Sequence, residues 1–414
     1  MEFIIALFYL SGLIKGFVLF FEIPIPIDFT ALSVLMIPLG LLFNQNRMNL
    51  LFDRKILMKQ LLLISFYLWM IFTWSYSSSE VYKSEKTLLF FLNVIGFATP
   101  FFIKNFNIKL FLRLIFLSIF IFTFTYLTLF YYYLNNVWSK EEFDVLHSFY
   151  LQNGLVLGLQ VIILILSNKP IFAQKKYDYT LAILSFILLL LLGSRGPLFS
   201  VIIVLVFCGL VFVFYKLKVP LFHKEFKLKP WNILFIFFCL LSVSISIFLF
   251  QDQILQLSNR SIIRLKLLVG LSDSSVQEGL GDSVSTRIEQ IELSINYIFS
   301  DLKSFLFGEG VGSFGVLESG KDQRSYPHNV FLEIMVELGS IGLLFFLLFS
   351  YFITKNIKTK KYVTSWVILY IIINISKSNS IIDLRMFFIL MAIYNLEGNI
   401  YVHKFKPQVA SKIN

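Results

Sequence analysis

Charge is what this chain most conspicuously lacks: 15% of its 414 residues are charged while 57% are hydrophobic, and the mean hydropathy is +0.78. A water-soluble core of this size needs a charged shell, and too few residues remain to build one, so a soluble fold is excluded. Before residue 251 there is also no long polar linker, which argues against several independent domains. The only two cysteines, Cys208 and Cys239, lie inside apolar runs and form no CxxC, so a disulfide scaffold or thiol redox pair is excluded and inert buried thiols are expected. No P-loop, no HExxH, no DxD-like aspartate pair and no other metal-ligand spacing occurs, and no metal or cofactor is expected. The first apolar run opens at Glu2 with neither a basic leader nor a small-residue cleavage site, which predicts a retained helix rather than a signal peptide. No internal repeat is evident.

Present instead are apolar runs long enough to match the hydrocarbon thickness of a bilayer. They predict an all-α, polytopic membrane helix bundle of about twelve transmembrane helices, near 2–21, 27–43, 60–76, 87–103, 110–134, 148–167, 179–192, 197–215, 231–250, 329–353, 362–375 and 381–396. The expected organisation is one membrane domain over 1–414, with a large loop at 251–328 between the ninth and tenth helices. The net charge of +11 does not point to nucleic acid, because the Lys and Arg gather in alternate short loops. By the positive-inside rule this predicts cytoplasmic N- and C-termini. The segment 135–147, the turn at 193–197 and the loop 251–328 then lie on the extracytoplasmic face. ATP and nucleotide sugars are cytoplasmic, so an enzyme working there needs a donor already activated and already carried across.

The large loop holds most candidates for chemistry. Arg260 and Arg264 stand one helical turn apart among apolar residues, as on a helix anchored at the membrane surface. Residues 271–285 are rich in Ser, Asp and Gly, which suits a lid or an ordinary loop. Thr286-Arg287-Ile288-Glu289 has the T-x-x-E pattern of a capping box, followed by apolar residues at Ile288, Ile291, Ile295, Ile298, Leu302 and Phe305, so an amphipathic helix is predicted to start there. Arg287 in its first turn is either a phosphate contact or a solvated surface arginine. The glycine cluster at 308–315 permits close approach to a ligand but equally a tight connection, and without a preceding strand it is no dinucleotide site.

At the end of the loop, Tyr326-Pro327-His328-Asn329 leads into a membrane helix. His328 is the best general-base candidate among the four histidines, or else a helix-end residue bonding a neighbour. Glu333 and Glu337 follow on one face at i, i+4, costly at that depth unless paired or hydrated. Arg195 interrupts an apolar stretch at Gly193-Ser194-Arg195-Gly196-Pro197. Its planar fork suits a diphosphate, although pairing with Glu333 or snorkelling would also satisfy it. Asp383 and Arg385 are expected to pair with each other or with headgroups. Arg260, Arg264, Arg324, Tyr326, Asn329, Glu333 and Glu337 complete the candidate substrate-binding set around Arg195, Arg287 and His328.

Three pieces in this order carry a resemblance: GSRGP at 193–197, then STR at 285–287 leading through the amphipathic segment to FGEGVGSFG at 307–315, and PHNVFLEIMVELGSIGLL at 327–344. The third is the most specific, and Gln152-Asn153-Gly154 is a weak addition. Together they resemble the O-antigen polymerase and O-antigen ligase superfamily of bacterial membrane glycosyltransferases. The resemblance implies a GT-C-like fold in the inner membrane and an inverting, metal-independent transfer from a sugar chain on undecaprenyl diphosphate, with the site on the extracytoplasmic face. It matches Arg195 and Arg287 to arginines that hold the diphosphate, and His328 to the histidine that activates the acceptor hydroxyl. A polymerase of O-antigen or capsule repeat units, with a chain-length regulator and a flippase of the same pathway as partners, is expected ahead of a ligase acting on lipid A core. The R-x(10)-G spacing of some polymerases is missing, so that choice stays open. A transporter of lipid-linked sugars is the alternative from another class, but it calls for unusual residues in matching halves rather than at one face.

Overall fold

The structure, a computed structural model, describes residues 1–21, 23, 28–44, 46, 54–134, 149–167, 169–192, 194–216, 282–355, 362–377 and 380–404. The predicted helix at 231–250, Cys239, the segment 135–147 and the pair Arg260 and Arg264 lie outside the described residues. Those described are helical, with no β-strand among them. In chain order the helices are α1 (Glu2–Phe20), α2 (Phe29–Phe43), α3 (Arg54–Phe72), α4 (Tyr82–Ala98), α5 (Ile108–Leu134), α6 (Phe149–Leu166), α7 (Lys175–Leu191), α8 (Arg195–Lys216), α9 (Asp282–Ile298), α10 (Leu302–Phe307), α11 (Phe314–Ser319), α12 (Val330–Lys355), α13 (Tyr362–Ile375) and α14 (Arg385–Lys404). Short 3₁₀ turns extend α3 and α4 and precede α14.

Among the described residues, five helical segments are long and apolar enough to cross a membrane: Glu2–Phe20, Ile56–Ser75, Tyr82–Phe102, Ile108–Leu129 and Val330–Lys355. Shorter apolar helices fill in at Phe29–Phe43, Leu151–Leu166, Gly196–Val211 and Ser365–Ile375. The chain is therefore a multi-pass membrane protein, as its apolar runs predicted.

Two groups of helices carry the site. In the first, α3, α4, α12 and α14 interlock through phenylalanines: the Phe66 ring lies 5.3 Å from Phe90 and 5.9 Å from Phe346, and Phe388 lies 5.7 Å from Phe90 and 5.6 Å from Phe349. Edge-to-face and tilted pairs of this kind bury large apolar area with few rotatable bonds. In the second, α6 packs on α7, α8 and α13. Small residues set that approach: a Cβ on Gly158 would lie 2.3 Å from the Tyr370 hydroxyl oxygen, and one on Gly154 would lie 2.2 Å from Ser194 Oγ. Tyr370 Oη donates to the Leu155 carbonyl at 2.8 Å, which pins α13 to α6. Gly154 of the QNG triplet thereby leaves room for Ser194 at the turn that opens α8.

The loop between α11 and α12 is tied to the start of α4. Asp322 accepts from Ser79 Oγ at 2.7 Å and from the backbone N–H groups of Glu80 and Val81 at 2.8 and 2.6 Å. It serves as a helix cap supplied from a distant part of the chain. Burial alone would raise the Asp322 carboxyl, but these donors hold it below the usual carboxylate range.

Candidate active site

The site is built on the start of α12. Asn329 Oδ1 accepts from the N–H groups of Phe331 and Leu332 at 2.9 and 3.2 Å, capping the helix. His328, just before it, adopts φ 53, a left-handed conformation uncommon outside glycine, though Asn, Asp and His take it more often than other residues. Such strain persists only where the surroundings over-determine it. Half-buried, the imidazole lies with its ring centroid 4.7 Å from that of Tyr326. Burial pushes the Tyr326 hydroxyl up to about 12, with Asp383 adding to the shift and the charges of Arg324 and Arg287 opposing it. Tyr326 is therefore a protonated phenol at neutral pH, with Arg287, Arg324 and His328 as neighbours.

Arg324 Nη2 contacts both carboxylate oxygens of Asp383, at 3.0 and 3.1 Å. The expected Asp383–Arg385 pair is thereby corrected. Arg385 instead donates to Ser11 Oγ at 2.8 Å and lies with its guanidinium over the Phe8 ring. These two side chains point to different neighbours because the 3₁₀ turn Ile381–Leu384 precedes the helix proper.

Directly below, Glu333 and Glu337 meet one lysine. Lys86 Nζ lies 2.6 Å from Glu333 Oε1 and 2.7 Å from Glu337 Oε1, and all three side chains are at most 2% exposed. Glu333 also accepts from Ser380 Oγ at 2.7 Å and the Ile381 N–H at 2.8 Å. Glu337 accepts from the Gly312 N–H at 2.9 Å. The reading that pairs Glu333 with Arg195 concerns a side chain outside those described. The apolar run begins at residue 87, just past Lys86, so hydropathy alone leaves this lysine out of the site.

The glycine cluster proves to be a docking loop. α12 is interrupted at Gly339 (φ 68, ψ -173), which breaks the helical ladder and frees carbonyls on the preceding turn. Those carbonyls are used: Val336 O accepts the Glu309 N–H at 2.8 Å, Glu337 O the Gly310 N–H at 2.9 Å, and Leu338 O the Trp69 indole N–H at 2.9 Å. The two glycine motifs thus form one structure. A Cβ on Gly339 would lie 2.3 Å from the Leu306 carbonyl oxygen, and one on Gly308 would lie 2.5 Å from the Glu337 carbonyl carbon. Gly339→Ala is expected to cost about 1–3 kcal/mol in backbone strain before any clash is counted. A lowered unfolding temperature in detergent checks this, and an unchanged one would refute the docking role.

α9 begins at Asp282, not at Thr286, so the capping-box reading is corrected: Thr286 and Glu289 lie inside the helix. Arg287 consequently sits beyond the first turn and away from the unpaired N–H groups. It shares a helix face with Gln290, Ser294 and Ile298, all three buried. That face packs on α12 through a small core of Ile298, Phe314 and Val336, while Arg287 itself is exposed, with its charge felt at the Tyr326 hydroxyl. The apolar stripe Ile288, Ile291, Ile295, Phe299 and Leu302 is 39–71% exposed instead.

Arg195 opens α8 with Pro197 in the first turn, as the interrupted apolar run predicted. This end of α8 neighbours the end of α13, where Lys377 Nζ lies 4.5 Å from the Phe199 ring centroid. From there the chain runs directly into the Ser380–Ile381 segment that Glu333 holds. Tyr326 and His328 are thus in ring contact, and the charges of Arg324 and Arg287 reach the Tyr326 hydroxyl. Glu333 and Glu337 lie beneath them in a closed ion-pair cluster with Lys86, and Arg195 stands at the head of α8, which packs on α6 and α13.

Residues 180–347 match the family model described as O-Antigen ligase. No curated protein gives a match. The matched span contains all three motif pieces and Arg195, Arg287, Arg324, Tyr326, His328, Asn329, Glu333 and Glu337. Over this span, which includes the His328 loop, the start of α12 and the Arg287 helix, the chain is similar to the O-antigen ligase family.

Proposed function

We propose that the protein is a polymerase of O-antigen or capsule repeat units. In this reading it is an inverting, metal-independent glycosyltransferase that extends a glycan on undecaprenyl diphosphate at the extracytoplasmic face of the inner membrane. The observation that supports it is the His328 ring 4.7 Å from Tyr326, whose hydroxyl also feels the charge of Arg287 from a separate motif. His328 takes the proton from an acceptor sugar hydroxyl as its oxygen bonds to the anomeric carbon from the face opposite the departing group. The bond from that carbon to the diphosphate oxygen breaks, and Arg287 and Arg195 stabilise the negative charge gathering on the leaving diphosphate. Tyr326 remains a phenol at working pH and supplies a neutral wall or a donor.

The alternation of basic loops supports cytoplasmic termini and an extracytoplasmic site. The 251–328 segment is read as one loop within a single membrane domain. A GT-C-like arrangement follows from the resemblance alone. The ligase reading is favoured by the description of the matching family, and would have the same residues pass a finished chain to lipid A core or another acceptor.

Purified full-length protein in liposomes, given a synthetic polyprenyl-diphosphate repeat unit and no other enzyme, is expected to make polymers. Product appearing only when a lipid A core acceptor is added would indicate the ligase. No transfer to either acceptor from several repeat units, by protein that unfolds cooperatively, would reject the enzyme reading.

A further inference from the structure

The arginine helix and the histidine loop are joined by a residue that neither motif contains. Glu318, in α11, accepts from Gln290 Nε2 through Oε1 at 2.6 Å. Its other oxygen accepts from Ser325 Oγ. Gln290 stands one helical turn after the exposed Arg287 and is itself 6% exposed. Ser325 lies between Arg324 and Tyr326, three positions before His328. One carboxylate therefore connects the turn that carries Arg287 to the strand of backbone that carries His328.

Several observations make this connection more than incidental. The carbonyl oxygen of the Gln290 amide has no partner among the described residues. A buried amide with one end unsatisfied is costly, so the bond to Glu318 is what compensates its burial. Toward its C-terminal end α9 is held by the apolar contacts of Ile298 with Phe314 and Val336. Such contacts tolerate sliding and rotation, whereas a two-ended carboxylate sets an angle and a distance. α11 itself is anchored through Phe314, which is fully buried in that small core, and it follows directly from the docked glycine loop. Glu318 is thus tied to the rigid kink of α12 on one side and to both halves of the site on the other.

We propose that Glu318 is a positioning residue that sets Arg287 relative to His328, an inference that rests on the catalytic reading given above. It touches no substrate and acts through Arg287. Misplacing a charged group by about an ångström is enough to cost up to roughly a hundredfold in rate.

The test is a double-mutant cycle on initial elongation rates of the full-length protein in liposomes with a synthetic lipid-diphosphate repeat unit. Glu318→Ala is expected to lower kcat by roughly tenfold to a hundredfold with little change in KM for the acceptor. Glu318→Gln, which keeps one acceptor oxygen, should recover part of the loss. In an Arg287→Ala background, Glu318→Ala should have no further effect. Gln290→Met and Ser325→Ala each break one half of the bridge, serve if Glu318→Ala does not fold, and should each slow transfer in the native background only. Fully multiplicative losses in the double mutant would assign Glu318 a merely structural role and overturn the inference. So would an unimpaired Glu318→Ala beside an impaired Arg287→Ala, while the catalytic reading would survive. An Arg287→Ala protein with native rates would instead overturn the role of Arg287 itself, and the inference with it.

Discussion

Lys86→Met is expected to leave little folded protein in the membrane. The substitution keeps the length of the side chain but strips the cation from between Glu333 and Glu337, which lie 2.6 and 2.7 Å from it. Two carboxylates would then face each other at no more than 2% exposure. Removing one partner from a buried ion pair typically destabilises by about 3–5 kcal/mol, a large share of the roughly 5–15 kcal/mol by which a folded protein is stable. The cost is local in origin but spreads, because Glu333 also holds Ser380 and Ile381 and Glu337 also holds Gly312. Neutralising both carboxylates together with the lysine, as Lys86→Met/Glu333→Gln/Glu337→Gln, should restore much of the yield, since no unpaired charge remains. Monodispersity after detergent extraction and the unfolding temperature are the measurements. A single mutant as stable as the native protein would show that the cluster contributes nothing, whatever its geometry.

The second large effect is on rate rather than on folding. Arg287→Ala and Arg195→Ala should each slow transfer by roughly a hundredfold, because losing one preorganised donor to a developing anion raises the barrier by on the order of 3 kcal/mol. His328→Ala should lose on the order of a hundredfold to ten-thousandfold, the usual contribution of a positioned general base. All three should insert and unfold like the native protein: Arg287 is exposed, and alanine at 328 relieves no buried charge. His328→Asn is a useful companion, since asparagine tolerates positive φ and so preserves the backbone at φ 53 while removing the base. Glycan chain length in cells and initial rates in liposomes are the readouts. Native rates in the His328 variants would exclude it as the base, and native rates in both arginine variants would remove the diphosphate assignment.

The sequence and the structure diverge at identifiable places. Helices start earlier than hydropathy predicts wherever a polar residue belongs to the helix. The run at 87–103 was cut short at Lys86, although α4 begins at Tyr82, because hydropathy penalises a charge without knowing its partner. Likewise T-x-x-E at Thr286 resembled a start signal, but α9 begins at Asp282. A capping pattern is only four residues long, and inside a polar helix it arises without any cap. The glycine cluster, read as either ligand cradle or connection, is a connection docked on the Gly339 kink. That result needs the second motif, because the carbonyls that accept Glu309 and Gly310 exist only where α12 is broken. Glu318 and Asp322 carried no signal at all, since each works through partners on other segments.

What the amino-acid order determined alone is the solvent: apolar runs matched to bilayer thickness, with cations between them, require a multi-pass membrane protein. It also supplied the candidates at the head of α12, because a Pro-His-Asn start and an E-x-G-x-x-G spacing are local. Which groups meet was decided only by the tertiary structure. Lys86 finds Glu333 and Glu337, Arg324 finds Asp383, and Glu318 finds Gln290 and Ser325. The physical reason is that a charge or amide taken out of water must be matched by another within about 3 Å. Helix periodicity says which face a residue occupies, but only the packing of distant helices says what stands opposite it.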